Sequence, residues 1–295
     1  MTGKNAQIAA LKSFQPDILA IQSAVMIGAV GNDAAMPVYT HFRQKAARLD
    51  TVRLAAHPGF GRGFTDITEA NVLAALLTDF ANLQKDAIPK AAPKAVQTGY
   101  FGLADQVFPV ADFIASSQKK DDFFYLLDPV LGDAGKLYVD QNIADAMQQK
   151  LLPLADMITP NAFELGLLVR QPINSLADAE EAGRKILGQM RRLRAVFATG
   201  IDASLPAGEG RIADILISRD ASVPFVHKSK AHGISGSGDV LSAMILAGYL
   251  NCGDLTKACQ SASNIVNQMI RKTATPLGLD VADLLWRLIP NQELE

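Results

Sequence analysis

Short apolar runs alternate with longer stretches of helical periodicity along nearly the whole chain, and that alternation limits the fold more than any other feature. Apolar runs too short for helices, separated by helix-length segments, are the mark of parallel strands joined by crossover helices. The runs read as strands fall at Ile18–Gln22, Val52–Ala55, Ala95–Thr98, Phe123–Leu127, Met157–Ile158, Val196–Ala198 and Asp214–Ile217. Helices are expected near Ala34–Leu49, Glu69–Asn82, Ala104–Ser117, Asn142–Leu152, Ala162–Val169, Ser175–Met190, Asp239–Leu250, Leu255–Arg271 and Val281–Ile289. The expected class is α/β, with a mostly parallel central sheet covered by helices on both faces. No repeat, low-complexity tract or Pro/Gly-rich linker divides the 295 residues, and Asp202–Gly210 reads as an exposed turn between strands. One domain over residues 17–295, preceded by a short extension at residues 1–16, is therefore expected.

Composition removes whole classes of function. Hydrophobic residues at 49% and charged residues at 20% exclude a disordered chain. Lys and Arg number 28 against 30 Asp and Glu, so no basic field is available to recruit nucleic acid or an anionic membrane. Cys252 and Cys259 fit neither a zinc knuckle nor a disulfide framework, which makes a reducing cytoplasm the default. The first residues hold no uninterrupted apolar signal region, and the most apolar stretch, Val240–Leu250, is too short to span a bilayer. Several catalytic templates are also missing. Gly135-Lys136 lacks the rest of a phosphate-binding loop, no G-x-G-x-x-G follows the first strand, and His41, His57, His227 and His232 have no zinc-protease spacing. Arg191, Arg192 and Arg194 read as a solvated helix end.

Ligands in parallel α/β sheets bind beyond the carboxyl ends of the strands, and four such places carry chemistry. Gly233-Ile234-Ser235-Gly236-Ser237-Gly238-Asp239 runs straight into an apolar helix. Its glycines allow backbone N–H groups to converge on an anion at the positive end of a helix dipole, and Asp239 is placed to take a proton from an attacking hydroxyl. As a plain helix start, the same residues need only cap a turn. Asp128, in Leu127-Asp128-Pro129-Val130-Leu131-Gly132-Asp133, ends a buried strand where a lone carboxylate is costly without a cation or donor. In Thr159-Pro160-Asn161-Ala162-Phe163-Glu164, Asn161 and Glu164 form a capping box, yet Glu164 shares the rim with Asp128 and the two could hold Mg²⁺ through water. Ser23 leaves the first strand beside Val25-Met26-Ile27-Gly28, a setting suited to a flat ring, or simply to a turn.

Taken in this order, the pieces resemble the pyridoxal kinases of the ribokinase-like superfamily, from about Ile18 to Leu250. The resemblance rests on IQS followed by VGN, TGYFG at Thr98–Gly102, LDPVLGDAGKLYV at Leu127–Val139, LLPLADMITPNAFEL at Leu151–Leu165, and GSGDVLSA at Gly236–Ala243. It implies the ribokinase-like three-layer fold and ATP-dependent phosphorylation of the 5′-hydroxyl of pyridoxal. Asp239 would be the base, with amides of Gly236, Ser237 and Gly238 as the anion hole. Asp128 and Glu164 would organise Mg²⁺ and the ATP phosphates, with Thr159, Asn161, Thr199, His227 and Gly238 on the nucleotide. Ser23, Pro58, Gly59, Tyr100 and Asp239 would surround the vitamin. Family members are usually homodimers and often use K⁺.

The chain departs from the family pattern on the vitamin side only: Ala24 replaces a histidine, Ile27 a tyrosine and Pro58 a threonine. Two other readings compete. One is a kinase for another small alcohol, such as hydroxymethylpyrimidine or a sugar; the hydroxymethylpyrimidine branch commonly has cysteine at the position of Asp239. The other is a non-catalytic carrier of pyridoxal or its phosphate.

Overall fold

The computed structural model describes residues 15–61, 63–87, 93–120, 122–203, 210–228, 234–273 and 279–288. Residues 1–14 of the expected extension, residues 204–209 of the expected turn, and residues 229–233 with His232 and Gly233 lie outside the described residues.

Strand alternation builds the layers. In β1 (Ile18–Ile27), Ile18 and Ala20 pack on one face of the sheet, while Leu19 and Ile21 pack on the other. The same division runs through β4 (Ala95–Thr98), β5 (Phe124–Leu127), β8 (Met157–Ile158) and β9 (Ala195–Asp202), so each strand feeds two cores. Burial on both faces is what turns parallel strands into continuous apolar runs. One core is closed by α1 (Asn32–His41), α7 (Ser237–Cys252), α8 (Leu255–Lys272) and α9 (Val281–Leu288). The other is closed by α2 (Ala70–Ala87), α3 (Val107–Gln118), α4 (Gln141–Ala146), α5 (Ala162–Val169) and α6 (Leu176–Gln189).

The remaining strands are β2 (Ala46–Ala56), β3 (Thr65–Ile67), β10 (Arg211–Ser218) and β11 (Ser222–Lys228), with a separate hairpin of β6 (Gly132–Asp133) and β7 (Lys136–Leu137). The nine-stranded sheet runs β11-β10-β9-β8-β5-β4-β1-β2-β3. From β9 to β2 the neighbours are parallel; β3 at one edge, and β10 and β11 at the other, join antiparallel. Asp128, Thr159 and Thr199 therefore share one carboxyl-end rim.

Three expectations are corrected. The helix read over Ala34–Leu49 ends at His41, because Arg43 turns the chain in a left-handed conformation and Ala46–Ala56 form a strand in which Leu49 pairs with Ile21. The helix read over Asn142–Leu152 stops early, with wider and tighter turns filling 147–154. β11 went unread because Pro224 breaks its pattern, which an edge strand tolerates.

Of the arginines after α6, Arg191 and Arg194 are exposed, as a solvated helix end would be, but Arg192 is half-buried. Arg192 donates to Asp156 (3.0 Å) and to the Phe123 carbonyl (3.2 Å), and Arg194 lies over the rings of Phe124 and Tyr249. Asp156 is buried and also accepts the Tyr125 amide (2.8 Å), so its charge depends on Arg192. Arg192→Met is expected to lower unfolding stability by about 2–3 kcal/mol, with a loss that shrinks on acidification as Asp156 gains a proton. Urea unfolding at two pH values checks this; an unchanged midpoint would show the pair to be energetically idle.

Candidate active site

The N-terminus of α7 is set by glycine. Gly236 caps the helix at φ 84°, and a Cβ there would overlap the carbonyl oxygen of Ala29. Only glycine lets this helix end lie against the segment that follows β1. Within that segment Gly31 (φ 55°) is also required, since a Cβ there would overlap the backbone of Ser23. From there, the Gly31 amide acts on the Asp239 carboxylate and draws its pKa down. Asp239 is half-buried, and burial pushes its pKa up to about 6 against the pull of that amide. One expectation needs correction. The Ser237 amide donates to the Ile234 carbonyl (3.1 Å), closing a turn, so in this conformation it is not an anion-hole donor.

Glu164 caps α5 and also reaches across to the turn after β5. Its backbone amide donates to the Asn161 side chain (2.9 Å), and its carboxylate accepts the Asn161 amide (2.9 Å), completing the box. The other carboxylate oxygen takes the amides of Leu131 (2.9 Å) and Gly132 (3.4 Å), and the Asn161 side chain donates to the Gly132 carbonyl (2.8 Å). One carboxylate thus ties the Asp128–Gly132 turn to the start of α5. Burial pushes Glu164 up to about 8 despite three amide donors, with Asp133 adding to the rise.

Asp128 stands at the end of β5, its amide bonded to the Thr98 carbonyl (2.9 Å). Burial, then the charges of Glu164 and Asp239, hold its pKa well above the ordinary carboxylate range, opposed by the hydroxyls of Ser242 and Thr159. Among the described residues, no lysine or arginine is among the groups that act on these three acids. Nor do three His, Cys, Asp or Glu side chains there form a ready-made metal cage. The three carboxyl groups make one acceptor-rich region, a donor set that would suit a cation keeping some of its water. Thr199 joins the rim beside Asn161, its amide donating to the Pro160 carbonyl (2.9 Å).

Other positions named from sequence fall on several elements. Ser23 is buried on β1 beneath Gly31. Tyr100 is half-buried, with Asp140 the charge acting on its phenol. Pro58 and Gly59 form an exposed turn after β2, where the Gly59 amide donates to His57 (3.1 Å). The His227 ring meets Ser263 (2.7 Å). Asp133 is exposed and accepts the amide of Ala134.

Sequence reading missed the support beneath Asp239. Ser242, one turn along α7, donates to the Asp239 carbonyl (3.1 Å) and accepts from Gln97 (2.9 Å), which in turn accepts the hydroxyl of buried Tyr39. The available signal was a lone serine inside the apolar run Val240–Leu246.

Comparison with known proteins places this geometry. A family model described as phosphomethylpyrimidine kinase matches residues 67–281. Pyridoxal kinase PdxY of Granulibacter bethesdensis is 27% identical, over 92% of this chain and 94% of its own. Pyridoxal kinase PdxY of Vibrio campbellii is 30% identical over 79% of each. Among solved structures, pyridoxal kinase from Leishmania donovani in complex with ADP and pyridoxine superposes with a TM-score of 0.78 at 26% identity, covering 92% of this chain and 94% of that one.

The raised Glu164 pKa has a measurable sign. A carboxyl group whose folded pKa lies above its ordinary value of 4.5 stabilises the fold at low pH, and that contribution is lost as pH rises toward about 8. The ligand-free protein is expected to lose stability across this window relative to Glu164→Gln, which starts less stable but lacks the slope. Thermal unfolding against pH decides it; parallel curves would mean that Glu164 is ionised throughout.

Proposed function

Because this chain belongs to the phosphomethylpyrimidine kinase family, in company with the pyridoxal kinases it matches along most of its length, we propose that it is an ATP-dependent pyridoxal kinase. The reaction moves the γ-phosphoryl group of ATP to the 5′-hydroxyl of pyridoxal, giving pyridoxal 5′-phosphate for vitamin B6 salvage. The observation that carries the proposal is the ionisable Asp239, held by the Gly31 amide at the N-terminus of a glycine-capped helix.

In this reading Asp239 accepts the hydroxyl proton as the alcohol oxygen attacks the γ-phosphorus. The bond to the β-phosphate oxygen breaks and ADP leaves. The α7 N-terminus, with the backbone at Gly236 and Gly238, offers positive potential to the transferred group. Asp128 and Glu164 fit a hydrated Mg²⁺, which would neutralise phosphate charge; dependence on K⁺ is carried over from the resemblance. Thr159, Asn161 and Thr199 line the nucleotide side, and Ser23 and Tyr100 the vitamin side. The proposal extends to a cytoplasmic homodimer. Met26, Ile27, Phe60 and Phe64 are exposed around the ends of β1, β2 and β3, an apolar surface a second copy could cover. Among the described residues no helix is long and apolar enough to cross a membrane.

A second reading, phosphorylation of hydroxymethylpyrimidine, is favoured by the family description alone. ATP turnover measured with pyridoxal, pyridoxine, pyridoxamine, hydroxymethylpyrimidine and ribose, with and without Mg²⁺, separates the two: best turnover with pyridoxal is expected. Binding of pyridoxal without turnover would instead make the chain a carrier.

Asp239 must be ionised to act as base, so kcat/KM is expected to fall on the acid side with an apparent pKa of about 6. Asp239→Asn should lower kcat by about 10³-fold with little change in either KM. A variant that keeps its turnover would remove Asp239 from the base position. Ser23→Ala is expected to raise the pyridoxal KM by about tenfold with the ATP KM unmoved; equal rises in both would take Ser23 off the ring.

A further inference from the structure

β9 and β10 are not in continuous register. Ala213 pairs with Ile201 and Ile215 with Ala198, so Asp214 alone faces both Thr199 and Gly200. The bulge needs Gly200 in a left-handed conformation (φ 67°) and leaves its amide without a ladder carbonyl. The Asp214 side chain fills that gap, with Oδ1 accepting the Gly200 amide at 3.2 Å. Its Oδ2 accepts the hydroxyl of Ser263 on α8 at 2.6 Å, and the same Ser263 oxygen lies 2.7 Å from Nε2 of His227 on β11. Because the serine proton points to Asp214, Nε2 carries hydrogen and donates to Ser263. Ser263 is buried, as is Cys259 one helical turn earlier, which also faces Asp214; Arg271 acts on His227 from the end of α8.

We propose that Asp214, Ser263 and His227 form a positioning relay that fixes the Thr199–Gly200 bulge and thereby sets the affinity for the adenine nucleotide. Thr199 is held from one side by the Pro160 carbonyl and, through Gly200, from the other by Asp214. The relay joins β9, β10, β11 and α8 at the nucleotide end of the sheet. Neither Asp214 nor Ser263 needs to touch ATP. The inference rests on the kinase reading for the placement of nucleotide beside Thr199.

The test uses the full chain and its Asp214→Ala, Ser263→Ala, His227→Gln and His227→Ala variants. ATP and pyridoxal KM, kcat, thermal midpoint, and the Kd for ADP by calorimetry without vitamer are measured for each. Loss of a hydrogen bond to a charged group predicts a rise of about tenfold in ATP KM and ADP Kd for Asp214→Ala and Ser263→Ala, with kcat and pyridoxal KM within about twofold. His227→Gln, which keeps an N–H donor, should weaken ADP less than His227→Ala. Unchanged ADP Kd in Asp214→Ala and Ser263→Ala would overturn the relay, as would a parallel loss in kcat and both KM values. If Asp214→Ala does not fold, Ser263→Ala decides alone, since alanine suits the helix at that position. A wild-type protein that binds ADP but does not phosphorylate pyridoxal would refute the kinase reading while the ADP Kd series still judged the relay. A wild-type protein that binds no nucleotide would refute both.

Discussion

Two backbone contacts, Gly236 on the carbonyl of Ala29 and Gly31 on the backbone of Ser23, are the constraint on which the rest of the site depends. The first brings the start of α7 against the segment leaving β1, although more than 200 residues separate the two in sequence, and the second folds that segment back on β1. A side chain at Gly236 would wedge the two elements apart, and one at Gly31 would push its turn off β1. With the wedge absent, the Gly31 amide reaches Asp239 and the α7 dipole faces the rim where β5, β8 and β9 deliver Asp128, Thr159 and Thr199. Backbone approach rather than side-chain packing therefore sets the distance between the two ends of the reaction.

Convergence of this kind has an electrostatic consequence. Asp128, Glu164 and Asp239 are pressed into one partly dry region, and each is pushed toward its neutral form. A site built only for stability would put a lysine or arginine among them, or replace them with apolar residues of similar volume. Here the backbone provides just enough support to keep the acids in place: one amide for Asp239 and three for Glu164. In the proposed reading, a polyphosphate arriving with its cation would relieve this mutual repulsion, so the strain among the acids and the affinity for the nucleotide would have one origin.

The strands of the sheet centre were legible because burial on both faces leaves uninterrupted apolar runs, as at Ala95–Thr98 and Met157–Ile158, which were read with the bounds the structure shows. Edges were less legible. Thr65–Ile67 is short and polar, and Ser222–Lys228 carries a proline that only an outermost strand accommodates. The rim acids were visible as isolated charges at the ends of apolar runs, and the sequence periodicity correctly made Asn161 and Glu164 a capping box. The order of contacts was not visible. Nothing local to Ser237 says that its amide closes a turn on Ile234, and nothing local to Asp214, Ser263 or His227 says that three separate elements bring them together. Periodicity reports how a segment faces its own core, whereas these bonds depend on which elements become neighbours.

That division also bears on where the chain can vary. The proposed phosphoryl-transfer rim is fixed by backbone geometry, by amide donors and by acids that constrain one another, so a change at Gly236 or Glu164 disturbs several contacts at once. On the proposed vitamin side, Ala24 is a small side chain buried on β1, whereas Ile27 and Pro58 stand exposed at strand ends with few partners to disturb. Substitutions at such positions alter the shape and polarity offered to a ring without moving the strands beneath. Two of the three departures from the pyridoxal kinase pattern, Ile27 and Pro58, fall in this permissive region, which is where a change of ring preference costs the fold least.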